Sequence, residues 1–282
     1  MSRSASLFIA LILLAQAAFG TIIIVAGTRD GLLLCEDRRI TTRTSSGQVS
    51  SSDSDKAQQI GKFGFFAVAG DLSGRLANFF GQSITTFDVM AEIPAFFKTH
   101  EIQKFDERTA LEFEAHLRDQ LNRKPVVNPA QPAQGPRAQT EVFLYWMDQN
   151  LETHLYVVDM ASALDTKDAT APPALAGRFV SPTTLRTSKP LVRGMGLLGY
   201  KAIVDGTDPR FDDLRNDEEL SPFLTRFIDA ASLDSIAATR SLKKLIRAIS
   251  ERQNFVNPGG LGVGPVSDCF LGTNDGVKNI NQ

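Results

Sequence analysis

"AAFGTIIIVAGTRDGLLLCEDRR", residues 17–39, runs without a break from the end of an apolar leader into an alternating stretch rich in β-branched residues. Its second half has the pattern of a hairpin. Two apolar strands flank Gly27-Thr28-Arg29-Asp30-Gly31, where glycine supplies the backbone freedom that a tight turn needs. Its first half ends on Gly20, directly before Thr21. Where that leader ends decides what the rest of the chain can do.

Met1 to Gly20 has the layout of a secretory signal peptide. Arg3 forms the positive start, Leu7 to Leu14 the apolar centre, and Ala18 and Gly20 the small-residue end. The centre alone is too short to span a bilayer comfortably. Thr21 to Val25 lengthen the apolar run, so an uncleaved N-terminal anchor is the other reading of this segment. No other stretch approaches membrane-spanning length, and no membrane association is expected once the leader is removed.

The remainder is ordinary in composition. The chain has 282 residues, a formal net charge of -2, 43% hydrophobic residues and 22% charged residues. Such values fit one large globular domain, residues 21–282, with no internal repeat. The near-neutral balance argues against nucleic acid as a partner, because phosphate binding needs a concentrated basic face. Arg240 to Arg247 are interrupted by apolar residues at helical spacing and read as one solvated helix face. Export leads to an oxidising compartment, where Cys35 and Cys269 could pair. Two buried free thiols in strands are the alternative.

Along the chain, "IGKFGFFAVAGD" (60–71) reads as a strand pair turning near Gly61 to Gly64, and Ile40 to Ser54 as a polar loop or irregular edge. Leu72 to Phe80 and Thr109 to Leu121 have helical periodicity. "EVFLYWMDQNLETHLYVVDM" (141–160) is a second hairpin, and 221–253 is the longest helical stretch. Gly-rich strands with an Asn-Asp-Gly turn close the chain. Two Pro-containing insertions, 124–140 and 165–190, interrupt the order. Strands alternating with helices in this way give an α+β class.

Several chemistries lack their residues. "GMGLLG" (194–199) matches the dinucleotide fingerprint by letter, but no βαβ unit surrounds it, and it reads as a Gly-rich turn. There is no phosphate loop and no Gly-x-Ser-x-Gly elbow. His100, His116 and His154 are scattered without metal-ligand spacing, so neither a metal nor an organic cofactor is expected.

Cleavage after Gly20 would leave Thr21 carrying both a nucleophilic hydroxyl and a free α-amine. That amine has a pKa of about 7.7–8.0, so it can act as a base near neutral pH. An internal threonine has only an amide nitrogen and lacks this base. Processing would therefore create the reactive group. Such a site further needs a nearby cation, an acid to hold that cation, and a backbone N–H aimed at the developing oxyanion.

The residues resemble the proteasome β-subunit group of N-terminal-nucleophile hydrolases, including the bacterial two-component protease subunit. "TIIIVAGTRDGLLLCEDRRIT" is similar to the opening hairpin of those subunits, with the acidic position on Asp37 before Arg38 and Arg39. "DKAQQIGKFGFFAVAGD" (55–71) resembles their next segment, which implies Lys56 as the catalytic lysine and Gly70 as the oxyanion N–H donor. Lys62 competes for the lysine role but falls at the expected turn. The resemblance further implies that Thr41 pairs with substrate backbone, and that Ile40, Val68 and Leu72 line the first specificity pocket. It implies a four-layer αββα sandwich, a homo-oligomer, and threonine-type endopeptidase activity on peptides or unfolded protein. Gly20 is then the processing site, and the enzyme is exported to the periplasm or secreted.

Resemblance is specific over residues 20–75 and looser beyond. "RQNFVNPGG" lacks the aspartate and serine that usually precede the late Gly-Gly, and "RGMGLLG" lacks the usual serine. Asn254 or Asn257 would have to supply a neutral hydrogen bond instead. Two further readings share the residues: a small-molecule amide hydrolase using the same nucleophile, and a catalytically silent structural subunit.

Overall fold

A computed structural model describes residues 21–43, 49–70, 73–77, 83–122, 140–161, 174–181, 190–193, 196–224, 233–256 and 263–280. The opening stretch forms β1 (Ile23–Thr28) and β2 (Gly31–Asp37), joined by Arg29 and Asp30. Gly31 has φ +155°, and a Cβ there would lie 2.0 Å from the Gly272 carbonyl oxygen, so only glycine fits this turn. The Thr28 hydroxyl closes it by donating to the Gly31 carbonyl at 2.9 Å.

This hairpin is the centre of a five-stranded antiparallel sheet. Its order is β12 (Leu191–Arg193), β1, β2, β13 (Ser267–Thr273) and β14 (Gly276–Asn279). A second antiparallel sheet has the order β11 (Ala174–Val180), β10 (Thr153–Ala161), β9 (Thr140–Met147), β6 (Gly64–Gly70) and β5 (Ala57–Ile60). Two separate ribbons pair β3 (Arg39–Arg43) with β4 (Val49–Asp53), and β7 (Ser73–Ala77) with β8 (Ser83–Asp88). The helices are α1 (Val89–Phe96), α2 (Glu107–Asn122), α3 (Gly196–Asp205), α4 (Asp212–Arg215), α5 (Ser221–Leu224) and α6 (Ser235–Val256). No helix among the described residues is long and apolar enough to cross a membrane.

Strand alternation decides which residues meet. Leu32 and Leu34 of β2 join Phe65, Ala67, Phe143 and Tyr145 in a cluster contributed by both sheets. Leu33 and Cys35, on the other face of β2, pack on Leu242, Leu245, Ile246 and Ile249. Those α6 positions follow the i, i+3, i+4, i+7 spacing of one helix face. Across the second sheet, Phe66 and Val68 of β6 meet Ile93, Phe96, Phe113 and Leu117 of α1 and α2.

The four-layer αββα sandwich expected from the sequence is corrected here. The described residues give a mixed α/β chain with two five-stranded antiparallel sheets, two extra ribbons and six helices, mostly short. Two of those helices have four residues, and α1 has eight with Pro94 inside it. Among the described residues, helical cover comes from α1 and α2 against one sheet and from α6 with the short α3, α4 and α5 against the other. Part of the difference is sequence that reads as helix but pairs as strand. Within 72–80, Ser73–Ala77 forms β7, which pairs with β8. Within 221–253 the described residues form α5 and the greater part of α6, the latter starting where Asp234 accepts N–H bonds from Ile236 and Ala237.

Three other expectations shift. Ile40 to Ser54 contains the β3–β4 ribbon, and β11 runs through the middle of the stretch 165–190 read as an insertion. Gly196 opens α3 where a Gly-rich turn was expected. Residues 125–139 lie outside the described residues.

Cys35 and Cys269 form a disulfide, which settles the choice between bridge and free thiols. They face each other directly in the β2–β13 register, with Cα atoms 4.2 Å apart. The bridge closes a loop of 234 residues in sequence separation, which restricts the unfolded chain. Replacing both cysteines by alanine is expected to lower stability by about 2–4 kcal/mol, measured from the denaturant midpoint. An unchanged midpoint would mean that the β2–β13 pairing suffices alone.

Candidate active site

Thr21 lies two residues before β1, and Asp37 ends β2, so the hairpin register carries them to the same end of the first sheet. Two bonds lock that end: Asp37 N–H donates to the Ile22 carbonyl at 3.1 Å, and Ile22 N–H donates to Asp37 Oδ1 at 2.7 Å. Lys56 arrives from the second sheet, one residue before β5, with its carbonyl accepting Val68 N–H at 2.9 Å. The three residues meet. Lys56 Nζ donates to Thr21 Oγ1 at 3.0 Å and to Asp37 Oδ2 at 3.2 Å.

All three are buried: Thr21 is 3% exposed, Lys56 1% and Asp37 0%. A buried ammonium is costly unless paired, so the Lys56–Asp37 pair holds together as a unit. Asp37 is well supplied with donors. Its Oδ2 also accepts Gly264 N–H at 2.9 Å and Arg39 N–H at 3.2 Å. Burial pushes the Asp37 carboxyl above the ordinary aspartate range, while the Lys56 ammonium and the N–H groups of Gly264 and Ile22 pull it back. Four donors on one carboxylate orient it tightly. The resulting line runs from acid to ammonium to hydroxyl and polarises the Thr21 oxygen.

Other candidates fall at different distances from this centre. Gly70 ends β6, paired with Thr140, two residues along the strand from Val68. At about 3.3 Å per residue, it lies roughly 7 Å beyond the point where β6 bonds to Lys56. Ile40 and Thr41 lie in β3, opposite Ser52 and Ser51. Val68 packs with the α1–α2 cluster, so its side chain is turned to the helix face of its sheet. Leu72, Gly20 and Asn257 lie outside the described residues, and Asn254 is described only as backbone in the last turn of α6. Lys62 is exposed in the β5–β6 turn, its Nζ 4.8 Å from the Phe63 ring centre. That placement removes it as the rival lysine.

Two contributors escaped the sequence. Gly264 N–H braces Asp37 from a position 227 residues away; the bond sought at Asn254 and Asn257 was one to Thr21, and those side chains lie outside the described residues. A Cβ on Gly264 would lie 2.6 Å from Arg39 Cβ, so the close approach needs glycine. Its only advance signal is the Gly-rich run "GGLGVGP". Glu36 is the second; its Oε1 accepts Lys56 N–H at 3.0 Å.

Asp148, Glu152 and His154 bring three potential metal ligands within 4.8 Å of one another on the β9–β10 hairpin. Bonds internal to that turn account for their proximity: Asp148 Oδ1 accepts from Asn150 and Glu152 N–H, and Oδ2 meets His154 Nε2 at 3.1 Å. The hairpin lies by Gly64, at the opposite end of β6 from Gly70. His116 pairs with Glu92 at 3.2 Å, and His100 stacks on Phe96 with ring centres 4.0 Å apart. No histidine joins Thr21 among the described residues.

No protein-family model matches this chain, and no curated protein does. A functional reading therefore rests on the threonine, lysine and aspartate themselves.

Proposed function

We propose that the mature protein is an exported threonine-type peptidase whose nucleophile is the hydroxyl of Thr21, freed as the first residue by cleavage after Gly20. The observation that carries this reading is Lys56 Nζ at 3.0 Å from Thr21 Oγ1 while Asp37 holds the same ammonium. In the uncleaved chain the Thr21 nitrogen is an amide and cannot take a proton. Once freed, the α-amine accepts the hydroxyl proton as the oxygen attacks a peptide carbonyl. Asp37 fixes Lys56, whose charge beside the amine keeps that amine available as a base. The oxyanion of the tetrahedral intermediate would be received by Gly70 N–H. Collapse breaks the peptide C–N bond, and the α-ammonium returns its proton to the leaving amine. Water, activated by the same α-amine, then hydrolyses the acyl ester and restores the hydroxyl.

The likeness of residues 20–75 to proteasome β-subunits supports this reading at the level of the reacting groups. A disulfide and a leader with signal-peptide layout are compatible with export. Outside the cytoplasm no ATP drives unfolding, so the substrate is a peptide or an already unfolded chain. Homo-oligomers are part of the same proposal. The missing late aspartate, a support for the terminal threonine, favours a silent subunit as the second reading; the Gly264 bond braces Asp37 and does not replace that support.

The N-terminus of the processed protein tests this directly. Mass spectrometry is expected to find Thr21 as the first residue. A mature chain beginning at Ala17, Ala18 or any residue other than Thr21 would leave the hydroxyl without its base and end the proposal. A time course separates two routes to Thr21: a single cut after Gly20, or an intermediate trimmed to it.

A further inference from the structure

Asp37 is not the only carboxyl that β2 directs at Lys56. Glu36, the residue before it, is 0% exposed. Alternation places it on the β2 face shared with Leu32 and Leu34, where both sheets contribute to one core. Its Oε1 accepts Lys56 N–H at 3.0 Å, and its Oε2 has no hydrogen-bond partner among the described residues.

The surroundings are poor in positive charge. β1 opposes Glu36 with Ile23, and β13 opposes it with Asp268. Asp37 follows on the same strand. Arg38 pairs with Asp268 at 3.4 Å and with Asp55 at 2.8 Å. Among the described residues, Lys56 is the cation that faces Glu36, and its ammonium is engaged by Asp37 and Thr21. A carboxylate with a bare oxygen between two other carboxylates is a costly arrangement; a neutral acid is far less so.

We propose that Glu36 is a positioning residue for Lys56, carried as the neutral acid: it fixes the lysine's backbone while leaving Asp37 as the ammonium's anionic partner. Lys56 is then gripped at both ends by consecutive residues of one strand, Glu36 at the main chain and Asp37 at Nζ. Burial, first among the causes, pushes the Glu36 carboxyl well above its ordinary value of 4.5, with Asp37 and Asp268 adding to the effect and Lys56 opposing it. The catalytic part of this proposal rests on the peptidase reading; the protonation part does not.

Two variants of the full chain test it, Glu36→Gln and Glu36→Ala. Glutamine keeps an oxygen acceptor for Lys56 N–H and cannot titrate. A carboxyl whose folded value is raised stabilises the fold fully below its unfolded value of 4.5, and this advantage is lost as pH rises toward the folded value. Denaturant titrations should therefore show E36Q gaining on the wild type as pH rises above that value. The gain should reach up to about tenfold in the folding equilibrium per pH unit. A difference that stays flat from about pH 5 to 8 would overturn the neutral acid.

For positioning, E36A should lose about tenfold or more in kcat on a fluorogenic peptide with KM nearly unchanged, and E36Q should restore most of that loss. Equal losses in both variants would overturn the hydrogen-bond role. If E36A does not fold, the pH dependence of E36Q stability decides alone, because it requires no activity. A Thr21→Ala variant with undiminished turnover would remove the peptidase reading and leave that stability arm standing.

Discussion

Thr21→Ala is expected to abolish peptide turnover while the protein still folds. Removing the attacking group of an enzyme whose residues act as a unit costs on the order of 10³-fold or more in kcat. The structural loss is smaller. Lys56 Nζ gives up one bond of 3.0 Å but keeps Asp37, so stability should fall by about 1 kcal/mol. Thr21→Ser, which retains a hydroxyl beside the α-amine, should recover measurable activity. Fluorogenic peptides and a parallel melting curve separate the two effects, and turnover at the wild-type rate in Thr21→Ala would exclude this hydroxyl from the chemistry. The same variant reports on processing. If the leader persists only in the alanine form, the threonine cuts its own precursor; if it is removed in both, a separate peptidase does so.

The second large effect is expected at Lys56. Lys56→Met keeps much of the side-chain volume but leaves Asp37 without its cation at 0% exposure. Breaking a buried ion pair from one side costs about 3–5 kcal/mol, because the remaining charge has no solvent and no partner. The three backbone donors from Ile22, Gly264 and Arg39 soften that loss and should hold it near the lower bound. Pairing the change with Asp37→Asn should recover much of the stability, since no uncompensated charge remains, yet recover no activity. Strong non-additivity in stability is thus the signature of a coupled pair. Additive losses, or a Lys56→Met protein with full turnover, would show that the contact seen between Lys56 and Thr21 is not used.

Much of the site could be seen in the residues. The hairpin was legible because the Gly-containing stretch 27–31 separates a β-branched apolar run from a leucine-rich one, and its register places Asp37 beside Thr21. Lys56 over Lys62 was legible because one precedes a strand and the other occupies its turn. The architecture was less so. β7 and β11 are strands because β8 and β10, their neighbours along the chain, pair with them, and a segment's own periodicity does not contain its partner. The αββα expectation failed on similar ground, since the stretch 72–80, which reads as helix, contributes a paired strand. Gly264 was hidden because its contribution is a backbone N–H, which no side chain announces. Glu36 was hidden by its neighbour: next to an acid with an obvious task, a second acid reads as solvent-facing until burial is known.

The bond from Gly264 to Asp37 joins positions 227 residues apart. A ribosome or translocation channel releases the N-terminal hairpin long before Gly264 emerges, and β13 with its cysteine comes later still. A nascent chain therefore holds its threonine and lysine without the amide that braces their acid. A product truncated before Gly264 would lack that brace, so its Asp37 would be held by fewer donors.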